Sequence, residues 1–107
     1  MSEKKSLRYN EGKPKWSLVD FKSLEPLVRV QMYGADKYSV DNWKIHMEKK
    51  DILDSAMRHL TALIDGEISC PESLQLHCGH IMANMMYWNF YHNRELENKK
   101  EEKSELG

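Results

Sequence analysis

This sequence has few cysteines, almost no net charge and no long apolar run. It has only two cysteines, Cys70 and Cys78, in 107 residues, which argues against a disulfide-stabilised scaffold and predicts two reduced, partly buried thiols. The formal net charge is -1, so we expect no electrostatic attraction to nucleic acid or to an anionic membrane. No apolar run approaches the roughly 20 residues of a membrane span, and the first residues, MSEKKSLRYNEGK, lack the apolar core of a secretory signal. We therefore expect a cytoplasmic protein.

What the sequence does contain is apolar residues at helical spacing, with no pattern typical of a β-strand. Residues 1–16 predict an extended arm. A first helix is predicted from Glu25, with Pro26 in its first turn and Gly34 as its left-handed C-terminal residue. Residues 35–47 are then predicted to form a loop.

Two further helices are predicted, and the second of them is unusually apolar. One runs from about residue 49 to 65 and ends at Gly66. The other, from about residue 72 to 95, is apolar over much of its circumference, which is typical of a central helix or an oligomer interface. Residues 96–107 are charged and are expected to extend this helix and then fray. The prediction is an all-α protein in which residues 1–95 form one compact helical domain with an extended N-terminal arm, assembled as a homo-oligomer.

A polar stripe follows one face of the apolar third helix. His77, His80, Asn84, Trp88 and Tyr91 are spaced by three, four, four and three residues, so their side chains share that face. Imidazoles at positions i and i+3 can share a metal ion, or can hydrogen-bond one anionic or nucleobase ligand. The alternative is a set of core histidines satisfied by backbone or carboxylate groups. Two histidines and an asparagine together favour a functional site.

A further histidine, His59, lies at the border of the apolar face of the second helix, close in angle to Ile52. It is expected to point inward, with Arg58 beside it on the polar face. A buried histidine needs a partner, because an unpaired buried polar group costs on the order of 1–3 kcal/mol. Glu72 or a histidine of the third helix could be that partner. A core pair and a ligand site both remain open.

Acidic residues raise the possibility of a metal site. Glu48, Asp51 and Asp54 recur every three residues, and carboxylates on one helical face can hold Mg²⁺ against a triphosphate. The same spacing is common on any solvated helix, which is the better-supported interpretation. Glu67 and Glu72, which flank the turn before the third helix, are better placed to face the histidine stripe.

The segments RYNEGK and GADKYSVDNW supply groups that suit a nucleotide. Lysine and arginine bind phosphates, aromatic rings stack on bases, and an asparagine amide can read a base edge. The alternative for the two aromatics is a hydrophobic anchor that pins the loop to the core, and Trp43 is interpreted mainly in that way. The candidate nucleotide-binding residues are Arg8, Lys13, Lys37, Tyr38, Asn42, Trp43, Arg58 and Asn84.

Five short motifs occur in order along the chain: RYNEGK, GADKY, NW, A-x-RHL followed by GE, and ES followed by H-x-x-H-x-x-x-N. From Arg8 to about Tyr91, this order resembles the small tailed-phage dATP/dGTP diphosphohydrolase family. The resemblance implies a phage protein with an all-α fold loosely like the MazG-type nucleotide pyrophosphohydrolases. It also implies Mg²⁺-dependent cleavage of a purine deoxynucleoside triphosphate to the monophosphate and pyrophosphate. The chain departs from the family at Cys70, where an aspartate is expected, at Leu74, where a glycine is expected, and in lacking an intact ExxE…ExxD pattern.

Two functional hypotheses follow. In the first the chain is an enzyme, in which Asp54, Glu67 and Glu72 hold Mg²⁺ while Arg58 and the lysines neutralise the triphosphate. Its candidate catalytic residues are Glu72, His59, His77 and His80. In the second it is a non-catalytic phage nucleotide-binding protein that sequesters a signalling nucleotide of host immunity and needs no metal. The departures from the carboxylate pattern favour the second, and the resemblance favours the first.

Overall fold

Three α-helices carry the fold. The structure, a computed structural model, describes the backbone of residues 6–106 and the side chains of residues 6–103. The helices are α1 (Glu25–Lys37), α2 (Lys49–Ile64) and α3 (His77–Leu106). Across this described part of the chain there is no β-strand, only an isolated antiparallel bridge between Ser69 and Leu76. The prediction of an all-α protein is confirmed.

The N-terminal arm reaches α1 through short turns. Gly12 has a left-handed φ of 78°, and the Lys13 N–H donates to the Asn10 carbonyl at 3.1 Å. Two 3₁₀ helices, Trp16–Leu18 and Phe21–Leu24, then lead into α1. Residues 1–5 of the predicted arm and residue 107 of the predicted frayed tail lie outside the described residues.

The start of α1 was predicted correctly and its end was not. Pro26 lies in the first turn, where its missing N–H breaks no helical bond. Gly34 does not take the left-handed conformation, and the helix continues to Lys37, with the Tyr38 N–H donating to the Gly34 carbonyl at 2.9 Å. A glycine within a helix costs only about 1 kcal/mol relative to alanine, so it need not end one. As a result Lys37 is a helical residue rather than a loop residue.

The second helix ends as its sequence predicts. After Asp65, Gly66 takes a φ of 94°. The Gly66 N–H donates to the Leu63 carbonyl at 3.0 Å, and the Glu67 N–H donates to the Ala62 carbonyl at 3.0 Å. These two bonds are the Schellman arrangement, which satisfies the last carbonyls of a helix and reverses the chain. Glu67 is thereby held at a defined position against the end of α2.

The third helix begins later than predicted, at His77 rather than near residue 72. The Cys70 N–H donates to the Gln75 carbonyl and the Leu74 N–H to the Cys70 carbonyl, both at 2.8 Å. Leu74 has a φ of 63°, which is incompatible with a right-handed helix. Pro71 therefore opens a tight turn here instead of a helix, and we call residues 67–76 the hairpin turn. At its other end α3 continues to Leu106, so the predicted helical extension is confirmed.

The core between the helices is small. Its buried apolar residues are Val30 of α1, Ile52 and Ala56 of α2, Ala83 and Tyr91 of α3, and Cys70. The radius of gyration is 19.0 Å, against about 13 Å for a compact domain of about 100 residues, as the arm and the far end of α3 project. Both cysteines are free, with Cys70 buried and Cys78 half-buried, as predicted.

Candidate nucleotide site

A cavity of about 720 Å³ lined by charged, imidazole and apolar groups lies where α1, α2 and the hairpin turn meet the start of α3. We call it the histidine pocket. Eight of the predicted site residues line it: Lys37, Tyr38, Arg58, His59, Glu67, Glu72, His77 and His80. Residues far apart in sequence thus converge because α2 and α3 pack side by side and the hairpin turn closes one end.

Three histidines at the centre of this pocket are joined by direct contacts. His77 Nε2 lies 2.7 Å from Glu67 Oε1, and the Nδ1 atoms of His77 and His59 are 2.8 Å apart. Because the Glu67 carboxylate can only accept, His77 donates from Nε2, and its bare Nδ1 then accepts from the Nδ1–H of His59. The ring of His80 stacks on that of His59 with centroids 4.2 Å apart and 2° between the planes, and His80 Nε2 is hydrogen-bonded to the Ser73 hydroxyl at 2.6 Å.

The pocket keeps two of these histidines neutral near pH 7. Burial, together with the nearby His80, His77 and Arg58 and against the opposing effect of Glu72, lowers the pKa of His59 from 6.5 to about 4. Burial, followed by proximity to His77, also lowers the pKa of His80. A neutral imidazole has a free lone pair, so it can accept a proton or bind a metal ion.

The mouth of the histidine pocket carries the cationic groups. Lys37 Nζ lies 3.4 Å from Glu72 Oε1 and 5.3 Å from the centroid of the Tyr38 ring. Hydrogen bonding to Tyr38, and then to Glu72, raises the pKa of Lys37, so its positive charge is retained. Arg58 lines the same pocket. Both cations are solvent-accessible and can meet an incoming phosphate group.

A second cavity, of about 570 Å³, adjoins the first. We call it the aromatic pocket; it is lined by Val28, Gln31, Met32, Gly34, Ala35, residues 38–43, His46, Met47 and Tyr87. Gly34, Tyr38 and Tyr87 line both cavities. Trp43 packs on Tyr87 at 4.8 Å and edge-on against Phe90 at 5.0 Å between ring centroids, which agrees with the interpretation of Trp43 as an anchor. Asn42 and Tyr38 face the same space.

The other predicted residues lie elsewhere. Asn84 is buried and donates to Ser55 Oγ at 3.2 Å and to the His80 carbonyl at 3.0 Å, so it joins α2 to α3 beneath the pocket. Arg8, Lys13 and Asp54 are exposed and line neither cavity. Further along the stripe, Trp88 stacks on His92 at 4.8 Å, and Tyr91 donates its hydroxyl proton to the Trp43 carbonyl at 2.5 Å.

The carboxylates predicted to hold Mg²⁺ are only partly assembled. Glu67 and Glu72 line the histidine pocket, and Asp54 does not. Among the side chains of residues 6–103, no three carboxylates come together at metal-ligand spacing. Mg²⁺ in proteins is held by one or two carboxylates together with substrate phosphates, and Glu67 and Glu72 are the two carboxylates that line the histidine pocket.

The lining residues that sequence reasoning missed include Gln31, Cys70, Ser73 and Tyr87. Gln31 Nε2 donates to the Tyr87 hydroxyl at 2.7 Å, and burial raises the pKa of Tyr87. Tyr87 lies three residues after Asn84 on α3, a spacing that could have placed it on the polar stripe. For Ser73 and Cys70 the sequence held no signal, because their placement depends on the hairpin turn.

Comparison with known proteins bears on these observations. Residues 3–102 match the family model described as dATP/dGTP diphosphohydrolase, N-terminal. The chain belongs to this family. The resemblance to the phage family is thereby confirmed, while the likeness to MazG-type enzymes stays a prediction.

One curated relative shows how the family match relates to a longer protein. The chain is 27% identical over 81 residues to a dATP/dGTP diphosphohydrolase of Salmonella phage PMBT28. The matched region is 76% of this chain and 28% of that relative, so the chain spans less than a third of the relative's length.

No solved structure matches the chain. Over the residues described, no helix is both long and apolar enough to cross a membrane.

Proposed function

We propose that this chain binds a purine deoxynucleoside triphosphate across its two adjoining pockets and hydrolyses it to the monophosphate and pyrophosphate. The observation that carries the proposal is the shared wall of Gly34, Tyr38 and Tyr87, which separates a cationic, imidazole-rich cavity from an aromatic one. A nucleotide has the same division between its phosphates and its base. The family match supports this class of ligand.

The phosphates belong in the histidine pocket. Lys37 and Arg58 supply positive charge to the triphosphate at the mouth. The base belongs in the aromatic pocket, where Tyr38 offers a ring face and Asn42 an amide that can both donate and accept. Trp43 contributes by holding this wall in place through its contacts with Tyr87 and Phe90. Asn84 contributes indirectly, since it fixes His80 through the backbone carbonyl.

Hydrolysis of the triphosphate requires that the attacking water lose a proton. The neutral imidazoles of His59 and His80 can accept it, because their lowered pKa leaves them unprotonated near pH 7. Glu67 can then stabilise a positive charge on the histidine pair through its contact with His77. Glu72 is the more exposed of the two carboxylates of the pocket and is the residue that we expect to orient the water or the metal ion.

Magnesium remains part of this proposal. Glu67 and Glu72 would hold Mg²⁺ together with substrate phosphates, and the ion would supply charge neutralisation and polarise the phosphoryl group. Asp54, the third predicted ligand, lies outside the pocket. The predictions for Arg8 and Lys13 likewise concern residues away from both cavities and would require the arm to fold over the bound nucleotide.

A binding-only function is the second candidate. The chain matches an N-terminal family region and 28% of its longer relative, so catalytic groups of that relative can lie outside the matched part. Under this hypothesis the pocket holds a nucleotide, such as a signalling nucleotide of host immunity, without a metal ion and releases it unchanged.

The homo-oligomer is also proposed, on the strength of exposed apolar surface. Trp16, Leu18, Val40, Ile45 and Ile64 are each at least 71% exposed, while Ile52 is the largest side chain that is fully buried. Water contact with so many large apolar groups favours association of chains. Light scattering after size exclusion should give a mass that is a multiple of the 12.7 kDa chain, in the cytoplasmic conditions that we expect for a phage protein in its host.

The deciding experiment incubates the purified protein with each deoxynucleoside triphosphate and with cyclic dinucleotides, with Mg²⁺ or with chelator, and separates the products. Monophosphate and pyrophosphate formed from a purine substrate only with Mg²⁺ would support the enzyme. A nucleotide that stays bound in chelator and is recovered intact after heat denaturation would support binding alone. If the protein neither binds nor hydrolyses any of these nucleotides, both hypotheses are contradicted.

A single carboxamide variant tests the residue assignment. We expect Glu72→Gln to abolish turnover, since it removes the more exposed carboxylate of the pocket, and to leave helix content unchanged. The control is Glu25→Gln, another exposed carboxylate, paired with Arg29 on α1, which should retain normal activity. Normal turnover in Glu72→Gln would contradict the role given to Glu72.

A further inference from the structure

The histidine pocket contains one group of side chains whose chemistry does not suit Mg²⁺. A ligand atom from each of His59, Cys70 and His77 lies within 4.8 Å of the other two, and over the described residues no other three His, Cys, Asp or Glu side chains are grouped in this way. We propose that these three residues bind a transition metal ion of the zinc class through two imidazole nitrogens and one thiolate. The proposal goes beyond nucleotide binding and does not depend on it; with the ion bound, His80 rather than His59 is the histidine left to accept a proton from water.

The ligand types select the ion. Thiolate and imidazole ligands suit Zn²⁺ and related transition metals, whereas Mg²⁺ takes oxygen ligands. Cys70 is 9% exposed and His77 is 3% exposed, so a thiolate and an imidazole there would be shielded from competing water.

The surroundings of His77 resemble the outer shell of a metal site. Histidine ligands in proteins commonly donate their second N–H to a carboxylate, which fixes the ring and makes the free nitrogen a better ligand. Glu67 accepts from His77 Nε2 at 2.7 Å, and this directs the lone pair of Nδ1 towards His59. Glu67 is itself held by the Schellman arrangement at the end of α2.

The backbone fixes the three ligands from three segments. His59 comes from α2, His77 from the first turn of α3, and Cys70 from the hairpin turn, where its N–H donates to Gln75 at 2.8 Å and the His77 N–H donates to Ile68 at 3.0 Å. Nitrogens about 2.0–2.1 Å from a tetrahedral zinc ion lie about 3.3 Å apart. The two Nδ1 atoms, now 2.8 Å apart, therefore need to separate by only about 0.5 Å.

Metal binding also has a defined proton balance. The Cys70 thiol releases its proton to solvent, and the His59 proton moves from Nδ1 to Nε2, so that both Nδ1 lone pairs and the thiolate face the ion. Three protein ligands leave a fourth position in a tetrahedral site. Because all three residues line the histidine pocket, a water molecule or a phosphate oxygen can occupy that position.

Cobalt titration tests the proposal without using activity. The full chain, reduced and stripped with chelator, is titrated with Co²⁺, whose bond to a thiolate gives a near-ultraviolet charge-transfer band and whose tetrahedral complexes absorb in the visible. We expect both features to saturate at a single ion per chain and to disappear when Zn²⁺ is added. We also expect Glu67→Gln to keep the band but to weaken metal affinity about 10- to 100-fold.

The two cysteines provide matched variants. Cys78 is half-buried and outside the ligand group, so Cys78→Ser should retain the full charge-transfer band. In that variant Cys70 is the sole thiol, and a band must come from it. Cys70→Ser should lose the band, with helix content by circular dichroism as the check on folding.

Several outcomes would overturn the proposal. These are a wild-type chain that shows no saturable band, a Cys78→Ser chain that loses it, or a folded Cys70→Ser chain that keeps it. Should Cys70→Ser fail to fold, Cys78→Ser alone still decides. Nucleotide turnover is measured separately, so a chain that binds Co²⁺ but hydrolyses nothing would contradict the proposed function and leave the metal site standing.

Discussion

The two adjoining pockets differ in what holds their walls in place. In the histidine pocket the side chains are linked to one another by hydrogen bonds, from Glu67 through His77 to His59 and from Ser73 to His80. In the aromatic pocket the wall consists of rings in contact, chiefly Trp43 against Tyr87 and Phe90. Directional bonds fix protonation and lone pairs, whereas ring packing fixes shape. The first suits charge and proton transfer, and the second suits recognition of a flat base.

Removing the central ring of the aromatic pocket should have the largest effect on stability. We expect Trp43→Ala to lower the free energy of unfolding by about 2–3 kcal/mol, because it removes the ring contacts with Tyr87 and Phe90. Urea denaturation measures this. The control is Tyr9→Ala; since Tyr9 is 78% exposed, a change within about 0.5 kcal/mol is expected. Similar losses in both variants would contradict the anchoring role.

Acid should weaken the histidine pocket rather than the aromatic one. In the unfolded chain His59 takes up a proton near pH 6.5, whereas in the folded protein its pKa is about 4. Between these values the unfolded state binds more protons, so the free energy of unfolding falls as pH decreases from about 6.5 to about 4. The lowered pKa of His80 acts in the same direction.

Urea midpoints measured across this pH range in the presence of chelator give the test. We expect His59→Gln to show a flatter pH dependence than the unaltered chain. His46→Gln is the control, because His46 is exposed and pairs only with Glu48 at 3.0 Å. An unchanged slope in His59→Gln would mean that groups other than His59 cause the acid sensitivity.

The smallest change in the free energy of unfolding is expected in the hairpin turn that closes the histidine pocket, and there we expect an increase. Leu74 is 78% exposed and has a φ of 63°, a conformation that costs an L-residue about 1–2 kcal/mol. Leu74→Gly should therefore raise the free energy of unfolding by about 0.5–1 kcal/mol after the added chain entropy of glycine. The same change at Leu96, within α3, should lower it by about 1 kcal/mol. A lower free energy of unfolding in Leu74→Gly would contradict the interpretation that the backbone of Leu74 is strained.

Sequence periodicity was enough to predict the bounds of a helix where local signals and packing agree. The second helix was predicted to within a residue because Gly66 marks its end by a backbone conformation that other residues rarely adopt. Gly34 carried the same signal but does not end α1, since a glycine is also tolerated within a helix. The start of α3 was missed because proline opens turns as well as helices, and the left-handed Leu74 cannot be read from a leucine.

The site was predicted in a similar, partial way. The spacing of His77 and His80 placed them together, and the angular position of His59 pointed it inward, as found in their contacts. Cys70 was interpreted as a plain buried thiol because a single cysteine has no periodicity. Asp54 was grouped with the site because acidic residues recur every three positions along that helical face, a spacing that is equally common on a solvated helix, and it lies outside the pocket.

The close approach of α1 and α3 sets the frame of both cavities. A Cβ added to Gly79 on α3 would lie 2.4 Å from the Pro26 carbonyl oxygen of α1, so the two helices meet there backbone to backbone. The spacing of the helices at this crossing is then set by main-chain atoms. Substitution of side chains around the cavities would leave this spacing unchanged, whereas any side chain larger than hydrogen at position 79 would push α1 and α3 apart.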